Sequence, residues 1–125
     1  MRLLLDTHAL LWALADDPTL APDARSAIGD PDNWVAVSAV TGWEVETKRA
    51  TGKLRAPENL AEAVRKTRFI QLPLTIEHGI AAGRLPRHHK DPIDRMLIAQ
   101  AQLEGLTIVT RDPRFEPYSV ALLPA

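Results

Sequence analysis

Apolar positions along this chain fall into short continuous runs and longer stretches of helical spacing, which alternate from one end to the other. The runs at 2–5, Trp34–Ser38, Phe69–Leu72, Leu106–Thr110 and Ser119–Leu122 are each too short for a helix and predict strands. Between them lie stretches with apolar residues every three or four positions, bounded by Pro and Gly. These predict helices over His8–Ala15, Pro22–Ile28, a segment carrying Glu44 to about Ala50, Pro57–Arg68, Ile76–Ala82 and Pro92–Glu104, the last capped by Asp91. Pro57 and Pro92 would each take a first helical position, and Gly52, Gly83 with Pro86, and Gly105 would stop three of the helices.

Strands that alternate with helices need crossover connections, so the expected fold class is α/β, with a central, mainly parallel sheet and helices on both faces. In such sheets the ligand crevice lies beyond the carboxyl ends of the strands. Asp6 and Asp112 each follow a predicted strand directly, which places both at that edge. Length changes the picture little: 125 residues suit one domain spanning 1–125, with no repeat or linker to divide them.

Composition matters mainly for what it excludes. There is no cysteine, so disulfides, thiol catalysis and Cys-ligated zinc are ruled out, in keeping with a cytoplasmic protein. Arg2, the following apolar stretch and Ala13-Leu14-Ala15 faintly resemble a signal peptide, but Asp6 and His8 interrupt it. The longest apolar run, Ala9 to Ala15, falls far short of the ~20 residues that cross a bilayer, so no membrane association is expected. Net charge is −1, yet its distribution is uneven. Residues 47–68 hold Lys48, Arg49, Lys53, Arg55, Arg65, Lys66 and Arg68 against Glu58 and Glu62. A second basic group, Arg84, Arg87, His88, His89, Lys90 and Arg95, flanks Asp91 and Asp94. Basic rims around an acidic centre suit a polyanion, although solvated helix faces give the same pattern.

Four acids carry the chemistry. Asp6 ends MRLLL, Glu44 sits in SAVTGWEV, Asp94 lies at the turn-to-helix junction HKDPIDRMLIAQA, and Asp112 follows LTIVT. Each has an ordinary explanation: Asp6 as a helix cap, Asp112 as a turn opener, Asp91 and Asp94 at a helix start, Glu44 paired with Lys48 one turn on. Gly42 and Trp43, however, suggest close packing around Glu44. Two carboxylates ~5 Å apart repel by about 3 kcal/mol at an effective dielectric near 20. Four converging acids with no internal cationic match therefore take up protons or bind cations. Oxygen ligands without Cys or paired His favour magnesium or manganese over zinc. His88-His89 lacks the spacing of a helical zinc pair, and His8 and His78 stand alone, so the histidines are set aside as ligands.

At these residues the chain resembles the PIN-domain ribonucleases, and in particular the VapC toxins of bacterial VapBC toxin–antitoxin systems. LLLDTHALLWAL (3–14), VSAVTGWEVETK (37–48) and HKDPIDRMLIAQAQLEGLTIVTRDPRF (89–115) match that family's motifs in order and register. The resemblance implies a three-layer PIN-like fold and metal binding and catalysis by Asp6, Glu44, Asp94 and Asp112, with Asp6 and Asp94 as the direct ligands. Asp94 is preferred to Asp91 by its distance from Leu97-Ile98-Ala99. Thr110 matches a hydroxyl that supports the fourth acid, Asp112, and Ser38 a polar residue near the first, Asp6. It further implies Mg²⁺- or Mn²⁺-dependent endonucleolytic cleavage of RNA by a metal-activated water, a homodimer, and a cognate VapB-type antitoxin. A haloacid-dehalogenase-type phosphatase is disfavoured because His8 stands where that class needs a second Asp. A non-catalytic RNA- or protein-binding module is the rival of a different kind.

Overall fold

A computed structural model describes residues 1–125. Its strands are β1 (Arg2–Leu5), β2 (Trp34–Ser38), β3 (Ile70–Leu72), β4 (Thr107–Thr110) and β5 (Leu122–Pro124). Its helices are α1 (Thr7–Leu14), α2 (Pro22–Gly29), α3 (Ala39–Ala50), α4 (Leu60–Lys66), α5 (Ile76–Arg84) and α6 (Pro92–Glu104), with a 3-10 turn at Pro113–Phe115. The strands form one sheet in the order β3-β2-β1-β4-β5, and every pairing is parallel.

β1 is the central strand, and its composition follows from that place. Leu3, Leu4 and Leu5 are all fully buried, because both faces of the strand are covered. Alternation sorts them: Leu4 joins Ala36, Ile108 and Leu72 under α3 and α6, while Leu3 and Leu5 join Val35, Val37 and Val109 under α1, α2 and α4. Helices therefore cover both faces, giving the three layers expected. A buried leucine contributes about 1.5–3 kcal/mol, so β1 alone anchors a sizeable part of both cores.

Three boundaries differ from the sequence reading. α4 starts at Leu60 rather than Pro57, since Asn59 accepts from the Glu62 N–H and its amide donates to the Glu62 carboxylate. Ala56, which would have capped a helix begun at Pro57, has no side-chain oxygen. α5 runs through Gly83 to Arg84 and is stopped by Pro86, which forces Leu85 into an extended conformation. The last strand lies at Leu122–Pro124, two to three residues later than expected. As an edge strand it tolerates a proline at its end.

Candidate metal centre

The site is built by the carboxyl edge of the sheet. β1 and β4 are in register at Leu5 and Val109, and the Asp6 N–H continues the ladder to the Val109 carbonyl at 3.1 Å. Counting on by one sets Thr110 beside Asp6. β2 is in register at Leu4 and Ala36, and counting on by two sets Ser38 on its other side. Each strand then turns into a helix or 3-10 turn whose first residues are capped by an edge residue. Asp6 Oδ1 accepts from the Ala9 N–H at 2.8 Å, Ser38 Oγ from Val40 at 3.1 Å, and Asp112 Oδ1 from Arg114 at 2.9 Å. The cap and turn explanations of Asp6 and Asp112 thus hold, each using one carboxylate oxygen.

α6 delivers the next acid across the edge. Asp91 caps the helix, its Oδ1 accepting from Ile93 at 2.9 Å, and Gly105 closes the far end at φ +68°. One turn on, Asp94 meets His89, with Nε2 and Oδ2 2.7 Å apart. Ligand atoms of His89, Asp94 and Asp112 all lie within 4.8 Å of one another. Asp6 is close enough to Asp112 for their charges to interact unfavourably. Glu44 stands apart from that group. One of its oxygens accepts from the Thr7 hydroxyl and the other pairs with Lys48 at 3.1 Å, the i,i+4 pair of its ordinary reading. Thr7, next to Asp6, is its link to the edge.

Several expectations are corrected here. The acids do have internal cationic partners: Lys48 on Glu44, and the Arg114 guanidinium on both oxygens of Asp112 at 2.7–3.1 Å. Gly42 marks no close approach, since an added Cβ would meet nothing within 4 Å, and Trp43 is 64% exposed. Arg95 is no rim charge, because its guanidinium donates inward to the carbonyls of Ala82, Leu85, Pro86 and His89. His89, set aside on spacing, is buried inside the cluster. The signal that could have found it is its place two residues before the Asp91 cap, where the chain must double back over the first turn of α6.

The electrostatics are those of an anionic pocket short of water. Burial raises the Asp6 carboxyl above its ordinary value, against the lowering effect of the Thr110 hydroxyl and the Ala9 N–H. Burial likewise pushes Asp94 up to about 6, with the His89 hydrogen bond opposing and the Asp91 charge adding. Asp112 is held low by Arg114. This donor set fits a hard divalent cation: carboxylate oxygens that are costly to ionise when buried gain most from a cation beside them. Carboxylate oxygens suit magnesium and manganese alike.

The raised Asp94 carboxyl sets a pH dependence. In the metal-free protein its contribution to stability is fully present below about pH 3.8 and is lost as pH rises through about 6, the reverse of a salt-bridged Asp. Divalent-ion binding runs the other way, since the ion competes with the proton. Affinity measured by calorimetry should fall about tenfold from pH 7 to pH 5, as Asp94 goes from mostly ionised to mostly protonated. A flat profile over that range would take Asp94 out of the site.

The two main clefts lie elsewhere. The larger, about 660 Å³, is bordered by Ser38, Gly42, Leu60, Val64 and Pro73, and neither cleft is lined by any of the four acids. The acidic edge is thus separate from both clefts.

Fold and site together define a small three-layer α/β protein with an acidic centre at the carboxyl edge of a parallel sheet. The family model described as PIN domain matches residues 3–120, and the chain belongs to the PIN domain family. PIN domains are generally nucleases that use a divalent metal. No curated protein matches the chain in sequence. Among solved structures it is similar to VapBC2 from Rickettsia felis, bound to a DNA fragment from its promoter, with TM-score 0.72, 17% identity and 98% of each chain covered. It is similar also to DNA-bound VapBC from Salmonella typhimurium (TM-score 0.69, 20% identity, 98% of this chain and 97% of that one). FitAcB from Neisseria gonorrhoeae follows (TM-score 0.65, 19% identity, 98% and 96%). No helix is long and apolar enough to cross a membrane.

Proposed function

We propose that residues 1–125 act as a single PIN domain and as the toxin of a type II toxin–antitoxin system, a Mg²⁺-dependent endoribonuclease of the cytoplasm. The observation that carries this reading is the gathering of Asp6, Asp94 and Asp112 at one sheet edge, with burial raising two of the three carboxyls. Asp6, Asp94 and Asp112 would hold the cation, with Glu44 as the fourth acid of the site. When bound, Mg²⁺ or Mn²⁺ would acidify the attacking water and offset charge on the leaving oxygen. The chain's own part is positional. Thr110 and the Ala9 N–H fix Asp6, Ser38 holds the start of α3 and hence the approach of Glu44, and Thr7 with Lys48 orients the Glu44 carboxylate. Exposed Arg87, His88 and Lys90, close to Asp91 in sequence, and the exposed Arg114 guanidinium beside Asp112 would supply contacts for an RNA backbone. Hydrolysis in line would leave a 5′-phosphate and a 3′-hydroxyl. Exposed Trp43, Ile76 and Ile80 support surfaces for a second copy and for a VapB-type antitoxin. The solved relatives, which are toxin–antitoxin complexes, support that partner too.

Purified protein incubated with cellular RNA should generate new 5′-phosphate ends in Mg²⁺ or Mn²⁺ and none in EDTA. Mn²⁺ binding, followed by water-proton relaxation, should weaken strongly in Asp6→Asn. Equal binding by variant and wild type would remove Asp6 from the site. A second reading is favoured by one observation: Glu44 and Asp112 already face a cation of the chain itself. On that reading the chain is a non-catalytic RNA-binding module, and RNA retention without metal-dependent ends would establish it.

A further inference from the structure

His89 is held more firmly than an ordinary loop residue. Its backbone N–H donates to Tyr118 Oη at 2.9 Å, and its carbonyl accepts from Arg95 at 3.2 Å. Its ring lies edge-on to Phe115, whose side chain is fully buried. Nδ1 faces the Asp91 N–H at 3.4 Å, a backbone donor that favours a lone pair on that nitrogen. The proton of the neutral ring therefore sits on Nε2, pointed at Asp94 Oδ2 2.7 Å away. Asp94 Oδ1 accepts no hydrogen bond within the chain.

The geometry points to His89 as a positioning residue of the metal centre, an Nε2–H donor that fixes the Asp94 carboxylate and leaves Oδ1 free for the cation. The arrangement inverts the common metal-site device in which a carboxylate orients a ligating histidine. The same Asp91 that caps α6 sets the tautomer of His89 through its backbone, so cap, imidazole and carboxylate form one relay of orientation. This inference rests on the metal-binding reading above and extends it to a residue that reading does not use.

The test is Mn²⁺ affinity of the folded full chain for wild type, His89→Ala and His89→Gln, together with ¹⁵N spectra of the histidine side chains with and without Mg²⁺. His89→Ala should weaken Mn²⁺ about 10- to 100-fold, the usual cost of losing an outer partner of a metal ligand. His89→Gln, whose amide N–H can replace the Nε2 donor, should recover to within a few-fold. The His89 Nε2–H signal should persist when Mg²⁺ is added. Loss of that proton signal on ion binding would make His89 a direct ligand and overturn the inference. So would unchanged affinity in folded His89→Ala, or a His89→Gln variant as weak as His89→Ala. Failure of the wild type to bind Mn²⁺ at all would instead remove the metal-binding reading, and this inference with it.

Discussion

Asp94→Asn is expected to abolish RNA cleavage with the fold intact, whereas Asp91→Asn should retain much of the activity. The two residues share the first turn of α6 but use their oxygens differently. Asp91 Oδ1 is committed to the Ile93 N–H, and Asn caps a helix about as well as Asp, so its replacement leaves the turn in place. Asp94 caps nothing; its carboxylate faces His89 and lies beside Asp112. The amide keeps the shape and removes the charge that would hold a cation. The loss should exceed the roughly 10- to 100-fold effect of deleting an outer partner of a metal ligand. Stability should move in the opposite sense. Because burial pushes the Asp94 carboxyl up to about 6, its ionised form opposes folding at pH 7, and metal-free Asp94→Asn should melt at the same or a higher temperature. Cleavage in Mg²⁺ and thermal melting, measured on both variants, decide the matter. An active Asp94→Asn beside a dead but folded Asp91→Asn would exchange their roles.

Arg95→Ala should be the most damaging change to stability outside the apolar core. The guanidinium donates to the carbonyls of Ala82 and Leu85 at 2.8 and 3.0 Å through one nitrogen, and to Pro86 and His89 at 2.9 and 3.2 Å through the other. Tyr118 completes the staple, its hydroxyl donating to Pro86 at 2.9 Å and accepting from the His89 N–H. The connection from α5 to α6 thus has its carbonyls satisfied by Arg95, helped by Tyr118, and not by a regular ladder. Hydrogen bonds to a charged group contribute about 1.5–3 kcal/mol each, but neighbours sharing one donor do not add, and water would re-solvate some of the carbonyls. A loss of about 3–4 kcal/mol is expected, seen as a lower urea midpoint at unchanged slope. Lysine should rescue little, since one ammonium cannot reproduce the planar fork. A midpoint within experimental error of wild type would show that the connection holds itself.

What the sequence reveals of this fold and what it hides follow from different ranges of interaction. β1, β2 and β4 are legible because strands buried on both faces must be apolar throughout, and the start of α6 is legible because Asp91-Pro92 is a local signal. Asp6 and Asp112 are placed by their strands alone. The start of α4 was misplaced because Pro57 competes with a side-chain bridge from Asn59 that only the folded turn displays. The positions of His89 and Arg95 are set by Tyr118 and by carbonyls of another helix end, which no local pattern encodes. The acids were expected to have no internal cation, yet in space Arg114 is the partner of Asp112.

The strand order has one more consequence, and it concerns time. β1 leaves the ribosome before the other strands but occupies the middle of the sheet, and one of its two neighbours, β4, is made only after β2 and β3. At roughly 5–20 residues per second of synthesis, Thr110 follows Leu72 by about 2 to 8 s. Throughout that interval one flank of β1 is unpaired; Asp94 is made within it and Asp112 just after it. A growing chain therefore carries no complete acidic centre until β4 and the turn after it have been made, and whatever chemistry the centre performs begins only then.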